Sequence, residues 1–283
     1  MTDIEQTAVW EQHAEQWSKV QAPLKPSPDD GSLTLSGLKP IFDKYPDQCR
    51  VAVLGVTPEL IQLAWPASVA LYAYDHSSEM IASVWSSHPT VSSEVKQASW
   101  EHLPVEAGAF HAAVGDGSLN ALSKLENYAE VVQELHRVIA PNGLMVIRCF
   151  IRPDNAETTQ QIISAVHTGQ VGSFHALKWR LAMALVNASS ASVAVSDIHK
   201  LFEASFPSRS RLAALTGWHE TQINTIDAYK NAATRYTFPR LHEAIEQLAP
   251  YFSVSDISYG TYELAKRCPT LTLKRQSINT FGL

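Results

Sequence analysis

The stretch that decides the fold is RVAVLGVTPEL, residues 50–60. Its apolar run VAVLGV has the length of a buried β-strand, and TPEL reads as the start of a helix, with Thr57 able to cap and Pro58 suited to the first helical position. A strand, a turn and a helix in this order is where many α/β proteins hold a nucleotide. Only Gly55 stands where a phosphate-cradling loop carries three glycines. The stretch therefore predicts an α/β fold and leaves the kind of ligand to be decided.

The same alternation continues along the chain. The sequence predicts strands at 51–56, 68–75, 91–99, 110–117 and 144–151, with helices at 57–65, 77–88 and 126–143 between them. Strand-like runs at 251–263 and 269–275 follow a mostly helical block. Apolar strands that alternate with helices are typical of parallel strands buried on both faces. We therefore predict a doubly wound, mostly parallel seven-stranded sheet with an antiparallel last strand.

Three parts follow from this pattern. Residues 1–45 are predicted to form an N-terminal helix, with Trp10, Ala14 and Trp17 at helical spacing, and a lid-like loop at 24–32, where two prolines and a glycine occur. Residues 46–155 and 251–283 form the predicted sheet domain. Residues 156–250 form a helical insertion, expected to lie over the strand ends, where ligands bind in this architecture.

Composition narrows the function. The 283 residues carry a formal net charge of −6, which disfavours a general electrostatic grip on nucleic acid. The three cysteines lie far apart and the eleven histidines form no paired spacing, so we predict neither a disulfide framework nor a metal site. The N-terminus is acidic and no run approaches the length of a bilayer-spanning helix. We expect a cytoplasmic protein with no membrane partner, and a homodimer is one possible assembly.

The ligand can be read from the second strand. Asp75 ends that strand 20 residues after Gly55, where a carboxylate can bind both hydroxyls of a ribose. At the preceding helix start, Pro58 offers no N–H and Glu59 repels phosphate, so a dinucleotide is disfavoured. A cofactor with a ribose and no phosphate fits better, which points to S-adenosylmethionine (SAM).

An ordered set of segments resembles the class I SAM-dependent methyltransferases over roughly residues 50–153 and the terminal strand pair. The segments are VLGVTPEL, LYAYDHSSEMI, QASWEHLP, AVGDGSLNAL and ELHRVIAPNGLMVIRCF. The first of them departs from the family, whose loop usually holds two or three glycines. The resemblance implies a Rossmann-like fold, SAM as cofactor and S-adenosylhomocysteine (SAH) as product.

The resemblance also implies a set of cofactor-binding residues. A leading segment that closes over the cofactor, as in related methyltransferases, would add Trp17 and Ser27, and the alternative is an N-terminal helix that only covers a sheet face far from the site. The remaining cofactor-binding residues are Gly55, Val56, Thr57, Asp75, His76, Met80, Ser99, Trp100, Gly115, Asp116 and Gly117. Three of these have alternatives that stay open here. Gly55 could serve only the turn, Asp75 could cap the next helix, and Met80 could be a core residue. At Ser99, where the family commonly has an acid, Glu101 is a nearby substitute.

Other candidates concern the acceptor and the chemistry. Asp116 could stabilise the sulfonium side of the site, orient the acceptor or take its proton as the catalytic base, or it could be a turn aspartate. Arg148, a cation inside an apolar strand, could bind an anionic acceptor or pair with a sheet-end carboxylate. The insertion's aromatic residues, with Trp179 and Trp218 as substrate candidates, could form the acceptor pocket or the insertion's own core. These aromatic residues are Phe174, Trp179, Phe202, Phe206, Trp218, Tyr229, Tyr236 and Phe238.

The predicted function is in-line methyl transfer from SAM to a small-molecule acceptor, with alignment supplying much of the acceleration. A SAM-binding protein of this fold that is regulatory and not catalytic is the alternative. Methylation of nucleic acid is less well supported, because the chain is acidic and lacks the Asn/Asp-Pro-Pro-aromatic and Pro-Cys loops of base methylation.

Overall fold

A seven-stranded sheet organises the part of the chain that the computed structural model describes, residues 17–186 and 190–277. Its strands are β1 (Cys49–Leu54), β2 (Val69–Asp75), β3 (Ser92–Gln97), β4 (Phe110–Asp116), β5 (Ile139–Arg148), β8 (Phe252–Ser258) and β9 (Thr270–Arg275). Across the sheet they lie in the order β3-β2-β1-β4-β5-β9-β8. Strands β1 to β5 pair in parallel, whereas β9 is antiparallel to both β5 and β8. The predicted doubly wound sheet with an antiparallel last strand is confirmed.

The central strands are buried because both faces of the sheet are covered. Val51 and Val53 pack with Leu38 and Ile41 of helix α1 (Pro28–Lys44) on one face. Ala52 and Leu54 pack on the other face with helix α4 (Tyr128–Val138). This alternation of successive residues between two clusters is the period of two that a strand imposes. The more polar β3 forms one edge of the sheet, as its composition predicts.

The predicted loop at 24–32 is wrong from Pro28 onward, where α1 begins. Ser27 is the N-cap: its hydroxyl accepts the Asp30 N–H, and the Asp30 side chain accepts the Ser27 N–H in return. Pro28 occupies the first helical turn, where a missing N–H costs nothing. Gly31 lies inside the helix, where a Cβ would be 2.5 Å from Cδ2 of the Leu63 side chain. Most of the predicted helix containing Trp10 and Ala14 lies outside the described residues, and 17–19 form a single 3₁₀ turn.

Three further helices differ from the prediction in their bounds. The helix after β1, α2 (Pro58–Ile61), is one turn and does not reach Trp65. Helix α4 ends at Val138, and the residues predicted to extend it to Gly143 begin β5. Asn142 takes a positive φ of 61° there, which no helix allows. Helix α3 (Ser78–Val84) connects β2 to β3, shorter than the predicted 77–88.

The chain between β5 and β8 forms further helices and a small ribbon. These elements are α5 (Thr159–His167), α6 (Phe174–Ala184), β6 (Ser192–Ala194), α7 (Val195–Ser205), α8 (Arg209–Thr216), α9 (Glu220–Ile223), β7 (Arg235–Thr237) and α10 (Leu241–Leu248). Strands β6 and β7 pair antiparallel. Most of these elements share one hydrophobic core. Leu248 of α10 packs instead in the cluster between α4 and the sheet. In the described ranges, no helix is both long enough and apolar enough to span a bilayer.

Candidate functional site

Two adjoining cavities lie where the carboxyl ends of β1, β2 and β4 meet the insertion, and Asp75, Trp100 and Ala121 line both. We call them the aromatic cavity and the polar cavity. The aromatic cavity is lined by Trp17, Val20, Leu24, Leu54, Gly55, Val56, Thr57, Asp75, Met80, Trp100, Asp116, Gly117, Ser118, Asn120, Ala121, Phe150, Trp179, Tyr229, Tyr236 and Phe238. The polar cavity is lined by Asp75, His76, Ser99, Trp100, Glu101, Ala121, Leu122, Ser123, Asn127, Thr234 and Arg235.

Gly55 ends β1 in a conformation that other residues rarely adopt. Its φ is +98°, and its N–H donates to the Tyr74 carbonyl at 2.8 Å. A Cβ at this position would lie 3.7 Å from Asp75 Oδ2 and 3.9 Å from Trp100 Cζ2. The glycine therefore serves the turn and also leaves open the space between the carboxylate and the indole. The structure thus confirms the turn at Gly55, whereas its contact with a cofactor stays a prediction.

Asp75 ends β2 in the wall between the two cavities. Its Oδ1 accepts the Ser77 N–H at 2.9 Å, while the N-cap of α3 is Ser77, whose hydroxyl accepts the Met80 N–H. Trp100 Nε1 donates to the Tyr74 carbonyl at 2.7 Å, which fixes the indole beside the carboxylate. Burial raises the pKa of Asp75, against the opposing effects of the Ser77 N–H and His76.

The other residues predicted near the adenosine divide between the two cavities. His76 and Ser99 line the polar cavity, and Met80 lines the aromatic cavity. The Ser99 hydroxyl donates to the Glu101 carboxylate, so Glu101 lies within reach of the position where the family has an acid. These side chains surround the end of β2 and offer carboxylate, hydroxyl and imidazole groups to a ligand there.

Asp116 and Arg148 form a buried ion pair across the ends of β4 and β5. Arg148 Nε and Nη2 donate to the two oxygens of Asp116, and Nη1 donates to the Tyr262 hydroxyl at 2.7 Å and to Asp30 Oδ2 at 3.3 Å. Burial lowers the pKa of Arg148. The opposing effects of its neighbours, with Asp116 first among them, outweigh burial, so the pKa lies above the ordinary arginine value. Of the two alternatives for Arg148, the structure has the ion pair with a sheet-end carboxylate.

Only part of this region of β4 and β5 reaches the cavities. Arg148 lines neither cavity, whereas Asp116 and Gly117 line the aromatic one. Gly115 lies within β4 opposite Ile147 and lines neither. Both Asp116 oxygens are held by Arg148, while burial raises the pKa of Asp116 against the opposing effect of that arginine, and a role of Asp116 in proton transfer stays a prediction.

The leading segment reaches the site through Trp17. This residue lines the aromatic cavity, and its Nε1 donates to Glu59 Oε2 at 3.2 Å. Lys25 binds the same carboxylate, with its Nζ 3.0 Å from Glu59 Oε1. Ser27 lines neither cavity and instead caps α1.

The insertion's aromatic residues separate into two groups. Trp179, Tyr229, Tyr236 and Phe238 line the aromatic cavity. All eight lie in the insertion's hydrophobic core, and the four that line neither cavity are Phe174, Phe202, Phe206 and Trp218. Trp218 Nε1 donates to the Gly172 carbonyl at 3.1 Å. The structure therefore places Trp179 at the candidate site and Trp218 outside it.

Several lining residues escaped sequence reasoning. Asn120 and Ser118 lie within GDGSLNAL, which the sequence had already singled out. Asn120 Nδ2 donates to the carbonyls of Phe150 and Thr237, and its Oδ1 accepts the Phe150 N–H at 2.8 Å. Arg235 begins β7 and Thr234 precedes it, far along the chain, and no local pattern marks them. The remaining ones are Val20, Leu24, Leu54, Ala121, Leu122, Ser123, Asn127 and Phe150.

One group of potential metal ligands occurs in the described ranges, and it lies in the insertion. His199, Glu203 and Asp227 approach one another there. Arg209 already binds both carboxylates, with Nη2 2.6 Å from Asp227 Oδ1. None of the three residues lines either cavity.

The comparisons with known proteins agree with this geometry. Residues 54–147 match a family model described as a methyltransferase domain. A SAM-dependent methyltransferase from Methanosarcina mazei has a TM-score of 0.50 at 13% identity, covering 84% of this chain and 98% of that one. The CcbJ methyltransferase from Streptomyces caelestis has a TM-score of 0.54 at 10% identity, covering 96% and 99%.

A third structure of similar fold has a different description. A putative zinc-dependent alcohol dehydrogenase from Rhodobacter sphaeroides has a TM-score of 0.62 at 10% identity, covering 98% of this chain and all of that one. At such identities these three likenesses concern the fold alone. No curated protein matches the chain.

Proposed function

We propose that this chain, which belongs to the class I SAM-dependent methyltransferases, transfers the methyl group of SAM to a small-molecule acceptor. The observation that carries the proposal is the aromatic cavity. Its walls join Gly55 and Asp75 at the strand ends to Trp179, Tyr236 and Phe238 of the insertion. A cofactor held at the first two residues and an acceptor held at the other three would share one enclosed space.

The residues at the strand ends fit SAM. Asp75 offers a carboxylate to the ribose hydroxyls, and the open space at Gly55 lets the ligand approach the backbone. His76, Ser99 and Trp100 in the polar cavity would hold the adenine. Val56 and Thr57 would lie along the amino-acid part, where Pro58 and Glu59 leave no phosphate site. When bound, SAM supplies an electrophilic methyl group on a sulfonium.

The chain's contribution to the reaction is positioning. The aromatic wall excludes water and holds an acceptor in line with the donor, which is worth several orders of magnitude in rate. Asn120 ties the loop after β4 to the end of β5 and to β7, so that the two sides of the site keep their separation. Asp116 is assigned here to orienting that loop through Arg148.

The proposal is tested by product formation. The purified protein would be incubated with SAM and a cell extract divided into a small-molecule fraction and a macromolecular fraction, and SAH would be measured by mass spectrometry. We expect SAH with the small-molecule fraction, at a rate that falls in Asp75→Ala and stays unchanged in Asp256→Ala, an exposed acid of β8. SAH formed only with the macromolecular fraction would contradict the small-molecule acceptor. SAM binding without SAH from either fraction would favour the regulatory alternative.

A further inference from the structure

We infer that Arg235 of the insertion binds the adenine of the cofactor, and that cofactor binding thereby fixes the ribbon formed by β6 and β7. This inference rests on the proposed function and adds a cofactor-binding residue to its site. Because the next residue, Tyr236, lines the aromatic cavity, two consecutive residues of β7 would join the cofactor to the acceptor pocket.

Consecutive residues of β7 line different cavities. Arg235 lines the polar cavity, whereas Tyr236 lines the aromatic cavity. Successive side chains of a strand point to opposite faces, so this division follows from the extended backbone of β7. The carbonyl of Thr237, the last residue of the strand, accepts Asn120 Nδ2 at 2.7 Å. The strand is therefore tied to the loop after β4, which borders both cavities.

The guanidinium of Arg235 is held in place by Ser192 of β6. Its Nε donates to the Ser192 hydroxyl at 2.7 Å, and its Nη2 donates to the Ser192 carbonyl at 3.2 Å. The same hydroxyl donates to the carbonyl of Ser123, another residue that lines the polar cavity. These hydrogen bonds orient the guanidinium before a ligand arrives, so less side-chain freedom is lost on binding.

Arg235 still has N–H groups to offer to a ligand. Its Nη1 has no hydrogen-bond partner within 17–186 and 190–277, and no carboxylate of these ranges forms an ion pair with it. By contrast, Arg148 and Arg152 are each bound to carboxylates. Among the described residues that line the two cavities, Arg235 is the single Lys or Arg. A few oriented polar groups of this kind are what fix a ligand in a cavity.

The other residues of the polar cavity favour adenine as the group that Arg235 binds. Asp75 and Glu101 line the same cavity, so an anionic group there would meet two carboxylates against one guanidinium. Adenine is uncharged, and its ring nitrogens accept hydrogen bonds while its amino group donates them. The planar guanidinium also stacks on the face of a base. Arg235 and Glu101 together therefore match both the acceptors and the donor of adenine.

Binding of adenine at Arg235 would stabilise the ribbon and, through it, the acceptor side of the site. Strands β6 and β7 form a two-stranded sheet of their own, and a ribbon of this size is only marginally stable by itself. Tyr236 packs against Trp179 with ring centroids 5.8 Å apart, so the ribbon also sets the position of the aromatic wall. The cofactor would thus help to arrange the surface that faces the acceptor.

The first test measures affinity by calorimetric titration of the intact protein with SAH and with adenosine. Arg235→Met should weaken the binding of both ligands about tenfold, because adenosine contains the adenine and lacks the amino-acid part. Arg211→Met is the matched control, since Arg211 is exposed on α8 and lines neither cavity, and its affinities should equal those of wild type. Unchanged affinities in Arg235→Met, or a loss for SAH alone, would overturn the inference.

The second test measures hydrogen exchange across 192–194 and 235–237 with and without saturating SAH. SAH should slow this exchange in wild type and in Arg211→Met, and should leave it unchanged in Arg235→Met. A merely structural role of Arg235 would speed exchange in the absence of SAH and leave the SAH effect in place, which would overturn the coupling. If Arg235→Met does not fold, a crystal structure of the wild type with SAH decides. Its guanidinium should lie within about 4 Å of the adenine, and an adenine out of its reach would overturn the inference.

The proposed function and this inference fail differently. The absence of SAH binding to the wild-type protein would contradict the proposed function and, with it, the role of Arg235. Normal SAH binding to wild type, together with wild-type affinity in Arg235→Met, would leave methyl transfer standing and overturn the role of Arg235 alone.

Discussion

Arg148 at the end of β5 holds both oxygens of Asp116 at the end of β4, and it reaches Asp30 of α1 with its remaining terminal nitrogen. One arginine thus joins the first helix, two central strands and the loop beside the aromatic cavity. Because the three side chains are buried, removal of the cation would leave two carboxylates without compensation.

The first prediction concerns this cation. Arg148→Met should lower the free energy of unfolding by about 3 to 5 kcal/mol, because two buried carboxylates lose their partner. Urea denaturation followed by circular dichroism measures the change. Lys39→Met is the control, since Lys39 pairs with Asp43 on an exposed helix surface and should matter little. An Arg148→Met protein as stable as wild type would show that the ion pair does not hold the strand ends together.

Gly55 gives a prediction with a matched glycine. Gly55→Ala and Gly217→Ala both place an alanine at positive φ, +98° and +74°, and each should cost about 1 to 3 kcal/mol of stability. Only Gly55→Ala should also weaken SAM binding, because its Cβ would occupy the space beside Asp75 and Trp100. At Gly217 no atom lies within 4 Å of an added Cβ. Calorimetric titration with SAM separates the two variants, and equal affinities would remove Gly55 from the cofactor site.

We expect the affinity for SAM to depend on pH through the Asp75 carboxyl. Its pKa is raised by burial, so the free folded protein holds this proton more tightly than the unfolded chain does. The stability that this carboxyl contributes is therefore present at low pH and is lost as the pH rises through the raised pKa. Binding to ribose hydroxyls needs the carboxylate, so the affinity for SAM should fall as the pH is lowered through the raised pKa of Asp75, measured by calorimetric titration at a series of pH values.

The variant Asp75→Ala checks this assignment. It should weaken SAM binding by about 1.5 to 3 kcal/mol, as expected for charged hydrogen bonds, and should also lose the pH dependence. Asp256→Ala should keep both the affinity and the dependence. If Asp75→Ala is folded and shows the wild-type pH profile, another group titrates at the site.

The leading segment should become more protected when SAH binds. Trp17 lines the aromatic cavity and is held by Glu59, as is Lys25. Deleting residues 1–32 would not test a lid, because it would also remove Ser27 and Asp30 from the start of α1. Hydrogen exchange across 17–25 is the better measurement: SAH should slow it in wild type, and Glu59→Gln should speed it. If SAH leaves the rate of hydrogen exchange across 17–25 unchanged, this segment only packs against the domain.

The sheet could be predicted because its evidence is local. Runs such as VAVLGV carry the strand signal within a few residues. They are continuously apolar because the strand is buried on both faces of the sheet. The start of α1 is hidden from a reading that takes Pro28 and Gly31 as helix breakers. Pro28 suits the first helical turn, and Gly31 is tolerated inside the helix, close to the Leu63 side chain.

The candidate site was only partly predictable for a physical reason. Gly55, Asp75 and Asp116 follow strands, and the topology of a doubly wound sheet brings such positions together. The partner of Asp116 depends on the register between β4 and β5, which places Asp116 opposite Arg148. The choice among the insertion's aromatic residues depends on tertiary packing, because Trp179 and Trp218 share one core and only Trp179 also lines the cavity.

The most direct test of the central claim is a calorimetric titration of the intact protein with SAM, repeated with NAD. We predict saturable binding of one SAM per chain, displaced by SAH and weakened in Asp75→Ala, and no saturable binding of NAD, because Pro58 and Glu59 occupy the helix start that a pyrophosphate needs. Saturable NAD binding at micromolar concentration, or the absence of any SAM binding, would contradict the account.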